Sequence, residues 1–324
     1  MPKKRKGVSY AKYGYIFSIP FVLIFLIFSL YPIIYTVMVS FSDLRGFGTE
    51  LNFLEKPFDN FISVLNNQTF TKALANTALI WMLNFIPQML VALVLAAWFT
   101  NKRTKIKGQG IFKILFYMPN IITAASIAIL FGALFGQDGP VDYLLKSIGA
   151  VPKDVPLRLL SNGWVSRGIV AFIQFWTWYG YTMLILISGI NGLNPETFES
   201  ADIDGASPRQ TFFHVVLPNL RTVMIYTLVT SLIGGLQMFD VPRVFQNGQP
   251  DGATMTASLF IYNQAFGTAH IMNMAAAASL LMFILIAVLS VGIFFILRDR
   301  DAIRERKQEK ARLKEWKKAG GEAR

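Results

Sequence analysis

Six apolar runs without a single charged side chain set the terms on which this chain can fold: residues 15–41, 73–100, 114–137, 168–190, 222–239 and 271–297. A helix needs about 20 apolar residues to cross the hydrocarbon core of a bilayer, and each run meets or approaches that length. Inside lipid every backbone N–H and C=O must be paired within the protein, and such runs achieve this as helices. An all-α integral membrane protein with six transmembrane helices follows. Composition agrees, since 53% of the 324 residues are hydrophobic and 15% are charged. The fifth run is the shortest and carries Gly234 and Gly235, so irregularity is expected there.

The formal charge of +12 does not point to nucleic acid, because the basic residues gather at the ends of the apolar runs. With six spans, one side receives a basic tail over 1–13 (Lys3, Lys4, Arg5, Lys6, Lys12), the cluster KRTKIK at 102–107 with Lys113, the segment containing Glu199, and a charged tail over 299–324. The other side holds Arg45, Lys56, Lys72, Lys146, Lys153, Arg158, Arg167 and Arg243, spread over three longer loops. Lys and Arg favour the cytoplasmic side, so both termini are expected there, with 14–298 as the membrane domain. The opening MPKKRKG resembles a nuclear-localisation run, but the apolar stretch behind it makes it a membrane flank.

Residues 252–269 are also uncharged and would fit a seventh span. Asn263 and Gln264 in the middle, and the basic tail that a seventh span would carry outward, favour a re-entrant or interfacial helix. The tail beyond Arg298 interleaves both signs at helical spacing, as in Glu305, Glu309 and Arg312. A solvated helical extension near an anionic leaflet is expected of it.

Between the fourth and fifth runs lies a polar island, with ESADIDGASPRQTFFHVVLP at 199–218. Asn194-Pro195-Glu196 reads as an N-cap, an N1 proline and an acidic first turn, with Glu199 and Asp202 following on one face. Gly205-Ala206 then breaks the helix, and Ser207-Pro208 repeats the start signal for a second short helix ending before Pro218. The expected product over 194–218 is a helix, a tight corner and another helix on the cytoplasmic face.

The spacing within this island resembles the EAA loop of ATP-binding-cassette importer permeases: EAA, three residues, Gly, nine residues, Ile, one residue, Leu-Pro. Here Glu199, Ala201, Gly205, Val215 and Leu217-Pro218 hold those places, with Ser200 for the middle alanine and Val215 for isoleucine. The resemblance extends over nearly the whole chain, from Tyr15 to Leu297, and is to permeases for oligosaccharide, polyol and glycerol-phosphate import. FDNF at 58–61 with Ala73 and Asn76-Thr77, KGQGIFKILFYMPNI at 107–121, GPVDYLL at 139–145 and GINGLNPETFESADIDGAS at 189–207 carry it in order.

The resemblance implies a type I importer transmembrane domain whose loop is a coupling helix seated in a cleft of an ATPase subunit. Coupling would fall to Glu199, Ala201, Asp202, Asp204, Gly205, Ala206, Phe212, Phe213, Leu217 and Pro218. The chain would sit in a bacterial cytoplasmic membrane beside a second, homologous permease subunit. A dimer of ATP-binding subunits holding ATP and Mg, and an extracytoplasmic solute-binding protein, would complete the complex. No cofactor is expected in this chain.

The residues themselves offer no enzyme. There is no GxxxxGK[ST] to cradle phosphates, no HExxH or GxSxG, no cysteine, and His214 and His270 are the only histidines. Polar side chains within spans are costly and tend to face a bundle interior or a cavity. On that ground Asn84, Gln88, Gln174, Trp176, Tyr179, Tyr181, Gln237, Phe239, Asp240 and Asn263 are candidates for a substrate pathway; amides and aromatic rings together suit a sugar. Glycerol phosphate or a polyol remains an alternative solute. A stand-alone secondary transporter or channel is the alternative mechanism, although no inverted repeat or intramembrane charge is apparent.

Overall fold

The computed structural model describes residues 11–46, 48, 50–101, 106–268, 270–297, 312 and 315. The basic cluster at 102–105, the residues before 11 and nearly all of the tail beyond 297 lie outside them, with the charge pairing expected for that tail. Among the described residues the only regular secondary structure is helical, joined by turns and loops, with one isolated bridge between Ser42 and Phe53. Among the described residues six helical stretches are long and apolar enough to cross a membrane: Lys12–Ser40, Gln68–Thr100, Ala124–Ser147, Gly163–Asn191, Arg221–Gln246 and Met272–Leu297. The stretch weighed as a seventh span holds only Ala257–Phe266 as helix. Ten residues rise about 15 Å, half of the roughly 30 Å hydrocarbon core.

The third apolar run is not one helix. Gln109–Tyr117 is helical, Met118–Ile121 tightens to a 3-10 turn, and Ile122 and Thr123 are extended before Ala124–Phe135 begins. Pro119 has no N–H to give to a continuing helix, and Thr123 restarts one by accepting from the Ser126 N–H at 3.2 Å. The register breaks again at Gly136–Gly139 before the helix Pro140–Ser147. The fifth span also divides, Arg221–Leu236 ending at the C-cap Gln237 before a new helix Asp240–Gln246.

Two π turns precede prolines. The Tyr31 N–H reaches back five residues to the Leu26 carbonyl just before Pro32, and the Leu217 N–H reaches the Phe212 carbonyl just before Pro218. A proline ring collides with the carbonyl four residues back in an α-helix, and one wide turn moves that carbonyl aside. The chain therefore runs helically through Pro218 to Asn219 rather than stopping ahead of it.

The chain divides into two compact units, Met1–Thr71 with Phe260–Phe283 and Lys72–Leu259 with Ile284–Arg324. In the first, Asn60 of the FDNF motif is buried and its amide donates to the carbonyls of Ser40 (2.9 Å) and Ser42 (2.8 Å), closing the end of the first span. Its oxygen accepts from the Asn273 amide at 3.0 Å. In the second unit the fourth span is central, with one cluster around Ile80, Val170 and Ile173 and another around Ala92, Met183 and Leu186. Large apolar side chains such as Phe17, Phe21, Val94 and Ile296 remain exposed on the spans, where a bilayer would solvate them.

Candidate functional site

Spans two, four and five line a partly open cavity of about 250 Å³ in the second unit. Asn84 and Gln88 line it from the second span; Gln174, Trp178, Tyr181, Thr182 and Ile185 from the fourth; Tyr226, Thr227, Thr230, Ser231, Gly234 and Gly235 from the fifth. Buried amides and hydroxyls need partners, and these largely find them within the spans. The Gln88 amide donates to Thr182 Oγ1 at 2.7 Å, Asn84 Nδ2 to the Ile80 carbonyl at 3.0 Å, and the Trp81 indole N–H to Ser231 Oγ at 3.3 Å. A methyl group on Gly235 would run into the Trp81 ring, so the glycine is what lets spans two and five approach here.

Four of the ten candidate pathway residues, Asn84, Gln88, Gln174 and Tyr181, line this cavity. Trp176 does not; it packs beside Phe131 at a ring separation of 6.0 Å against the apolar core. Tyr179 packs against Phe116 and Phe175 instead, at 6.2 and 5.6 Å. With about 100° per helical residue, positions 178, 181, 182 and 185 fall near Gln174, whereas 176 and 179 fall about 200° and 140° away. Gln237 is exposed one residue past the helix end, and Phe239 and Asp240 start the next helix away from the cavity lining. Asn263 sits half-buried on Ala257–Phe266, in the other unit. The same 3.6-residue period, applied to Tyr226-Thr227, Thr230-Ser231 and Gly234-Gly235, is the signal that would have found the fifth span's contribution.

The polar island folds as a helix Pro195–Ile203, a corner and a helical continuation from Pro208. The Asn194 side chain caps the first helix by accepting from the Glu196 N–H at 3.1 Å. Gly205 turns the corner in the left-handed region, at φ +71°, and the Ala206 N–H returns to the Ala201 carbonyl at 3.0 Å. Ser207 and Gln210 then form a reciprocal capping box, at 2.8 and 3.3 Å. Glu199, Asp202, Asp204, Gly205 and Pro218 are exposed, Ala206 and Leu217 are half-buried, and Ala201 is buried.

Phe212 and Phe213 part company. Phe212 packs with Phe198 onto the cluster around Ala92, Met183 and Leu186, so it roots the corner in its own chain. Phe213 is exposed, and so is Ile203, which at 86% is the most exposed large apolar side chain of the segment. Ile203 escaped the sequence reading because its neighbours are acidic, yet it stands beside the corner as an exposed apolar side chain.

Within the second unit, the loop after Asp240–Gln246 is held by Asn76 in the third turn of span two, which in turn is held by Arg167 near the start of span four. Asn76 Nδ2 donates to the carbonyls of Gly252 (2.7 Å) and Met255 (3.2 Å), and Arg167 donates to Asn76 Oδ1 through Nε (3.1 Å) and Nη2 (3.0 Å). Among the described residues no group of His, Cys, Asp and Glu is placed to hold a metal ion.

The model of one protein family, described as the binding-protein-dependent transport system inner membrane component, matches residues 65–300. The lactose transport system permease protein LacF of Rhizobium radiobacter is 30% identical over 89% of this chain and 94% of its own length. The arabinooligosaccharides transport system permease protein AraP of Bacillus subtilis is 32% identical over 86% of each. Among solved structures, a chain of a bacterial ABC transporter that imports the acidic polysaccharide alginate superposes with a TM-score of 0.73, at 22% identity, over 88% of this chain and 94% of that one. A chain of the alginate transporter in complex with a pentasaccharide-bound periplasmic protein gives 0.74 over 92% and 98%, also at 22% identity.

Proposed function

This chain belongs to the family of binding-protein-dependent transport system inner membrane components, and from that premise we propose that it forms half of the pathway of an ATP-driven importer of an uncharged sugar or oligosaccharide. The observation that carries the solute class is the cavity lining. Amides, hydroxyls and the rings of Trp178, Tyr181 and Tyr226 line it, with no Asp, Glu, Lys, Arg or His among them. Hydroxyl-rich rings are bound by amide and hydroxyl hydrogen bonds with stacking on aromatic faces. A phosphate or carboxylate taken from water into the same space would need a cation to offset its desolvation. Glycerol phosphate is therefore the weaker candidate. The relatives named for lactose and for arabinooligosaccharides support the same class.

The chain carries no catalysis of its own in this reading. A homologous second permease completes the pathway, two ATP-binding subunits hold ATP and Mg, and a solute-binding protein delivers from outside. The corner at Gly205, flanked by Glu199, Asp202, Asp204, Ile203 and Phe213, seats in the ATP-binding subunit, on the cytoplasmic side with both termini. Because Phe212 and Phe198 pack that corner onto the cluster containing Met183 and Leu186 of span four, its displacement reaches the helix that lines the cavity. Alternating access then follows from rocking spans around a fixed site.

The test is uptake into proteoliposomes containing the complete complex, with lactose, an arabino-oligosaccharide, a polyol and glycerol 3-phosphate offered in turn. Uptake of a neutral sugar and none of the anion is expected. Preferred uptake of glycerol 3-phosphate would overturn the solute class, and uptake of the polyol alone would narrow it away from sugars.

A further inference from the structure

We propose that Asn76 is a positioning residue that makes the loop 248–257 move as one body with spans two and four, so that contact made by a solute-binding protein on this loop is registered at the cavity. The inference rests on the importer reading. It goes beyond that reading by assigning the transmission on the face opposite the corner.

The amide of Asn76 is used to capacity. It is 4% exposed, both donors go to loop carbonyls, at Gly252 and Met255, and its oxygen takes both Arg167 bonds. A carboxamide offers two donors and two lone pairs, and all four are engaged here. Aspartate keeps the acceptor and loses both donors, glutamine is one methylene too long, and serine has too few groups. Arg167 is itself fixed, its guanidinium lying 5.1 Å from the centre of the Trp164 ring.

Neighbouring residues repeat the attachment. Thr77, fully buried, accepts from the Ala257 N–H at 2.9 Å while donating to the Ala73 carbonyl at 2.7 Å. The Lys72 ammonium donates to the Asp251 carbonyl. Thr256 ties the far end of the loop to the Met238 carbonyl at 2.8 Å. Residues 72, 76 and 77 thus hold the loop backbone to span two from Asp251 to Ala257.

Geometry then connects the clamp to the cavity. Asn84 lies eight residues below Asn76 on one unbroken helix, and Gln174 seven below Arg167 on another, each about 10–12 Å along the axis. One span separates this loop from the corner at Gly205, so the two lie on opposite faces of the membrane domain.

Asn76→Asp isolates the claim, because it retains and strengthens the partner of Arg167 while removing both donors to the loop. The complete complex in nanodiscs would be assayed for ATP hydrolysis, alone and against rising concentrations of its own solute-binding protein loaded with neutral sugar. Expected is a rise of about tenfold in the concentration giving half-maximal stimulation with basal hydrolysis unchanged, alongside a lowered thermal midpoint because two loop carbonyls lose their donor. Thr77→Val should shift the same curve in the same direction, and Thr77→Ser should leave it in place. A curve for Asn76→Asp that superimposes on the parental one would overturn the inference. So would a fall in basal hydrolysis with no shift of the stimulation curve, which would make the clamp a packing element only. If the parental complex is not stimulated at all, the importer reading fails, and the inference with it.

Discussion

Substitution at Gly205 separates two reasons why the corner needs a glycine. The residue sits at φ +71°, and a Cβ built on it meets nothing within 4 Å in this chain. Space is therefore not the constraint from within; backbone conformation is. A non-glycine residue in the left-handed region costs about 1–2 kcal/mol, which at about 1.4 kcal/mol per decade reduces the population of the observed corner by about 5- to 30-fold. Gly205→Ala carries that cost with little added volume, and ATP-driven uptake by the reconstituted complex should fall by a factor in that range. Asparagine tolerates the conformation but has nearly the shape of leucine, so Gly205→Asn relieves the backbone cost while keeping the bulk, and its uptake should fall below that of Gly205→Ala if the corner is docked. Gly205→Leu adds bulk at an exposed corner, and since nothing in the chain opposes that bulk, any loss beyond the alanine value reports a collision with a partner. Uptake should be abolished while membrane insertion, followed by protease accessibility in vesicles, stays at the parental level. Parental uptake by Gly205→Leu would refute the docking of this corner. Equal losses for alanine and leucine would leave only the conformational requirement standing.

Gly180→Ala should be among the most damaging single-methyl additions in the chain, because its Cβ would run into the backbone carbonyl of Phe116, which cannot rotate away; a loss of about 1–3 kcal/mol or more, read as a lowered thermal midpoint, is expected. Asn60→Ala strips the Ser40 and Ser42 carbonyls of their side-chain donor and should cost about 2–4 kcal/mol, whereas an unchanged midpoint would mean water replaces the amide. Gln88→Leu leaves the buried Thr182 hydroxyl without its donor and should cost about 1–3 kcal/mol. Adding Thr182→Val should recover much of the stability but not the uptake, and recovery of both would place this pair outside the solute path.

The spans and the corner were legible because both are written in local chemistry. Charge-free length marks a helix in lipid, and Asn194-Pro195 and Ser207-Pro208 mark helix starts wherever they stand. What escaped the sequence depended on direction around a helix or on distant contacts. Trp176 and Tyr179 have residue types that suit a sugar path, but their angular positions turn them from the face shared by Gln174, Trp178 and Tyr181. Phe212 and Phe213 are adjacent and chemically alike, and only the cluster around Met183 and Leu186 decides which is buried. The break at Met118–Thr123 was foreshadowed by Pro119, but an apolar run conceals it, because composition does not change where the backbone turns. The π turns before Pro32 and Pro218 have no sequence signature beyond the prolines themselves.

The central claim, that this chain moves a neutral sugar only as part of an ATP-driven complex, is tested most directly by omission in proteoliposomes. Uptake of a labelled neutral oligosaccharide would be measured with the complete set of subunits and ATP, and again with this chain reconstituted alone at equal density. Accumulation with the complete complex and none with the chain alone is the predicted result. Sugar flux through the chain alone, independent of ATP and of any ATP-binding subunit, would contradict it.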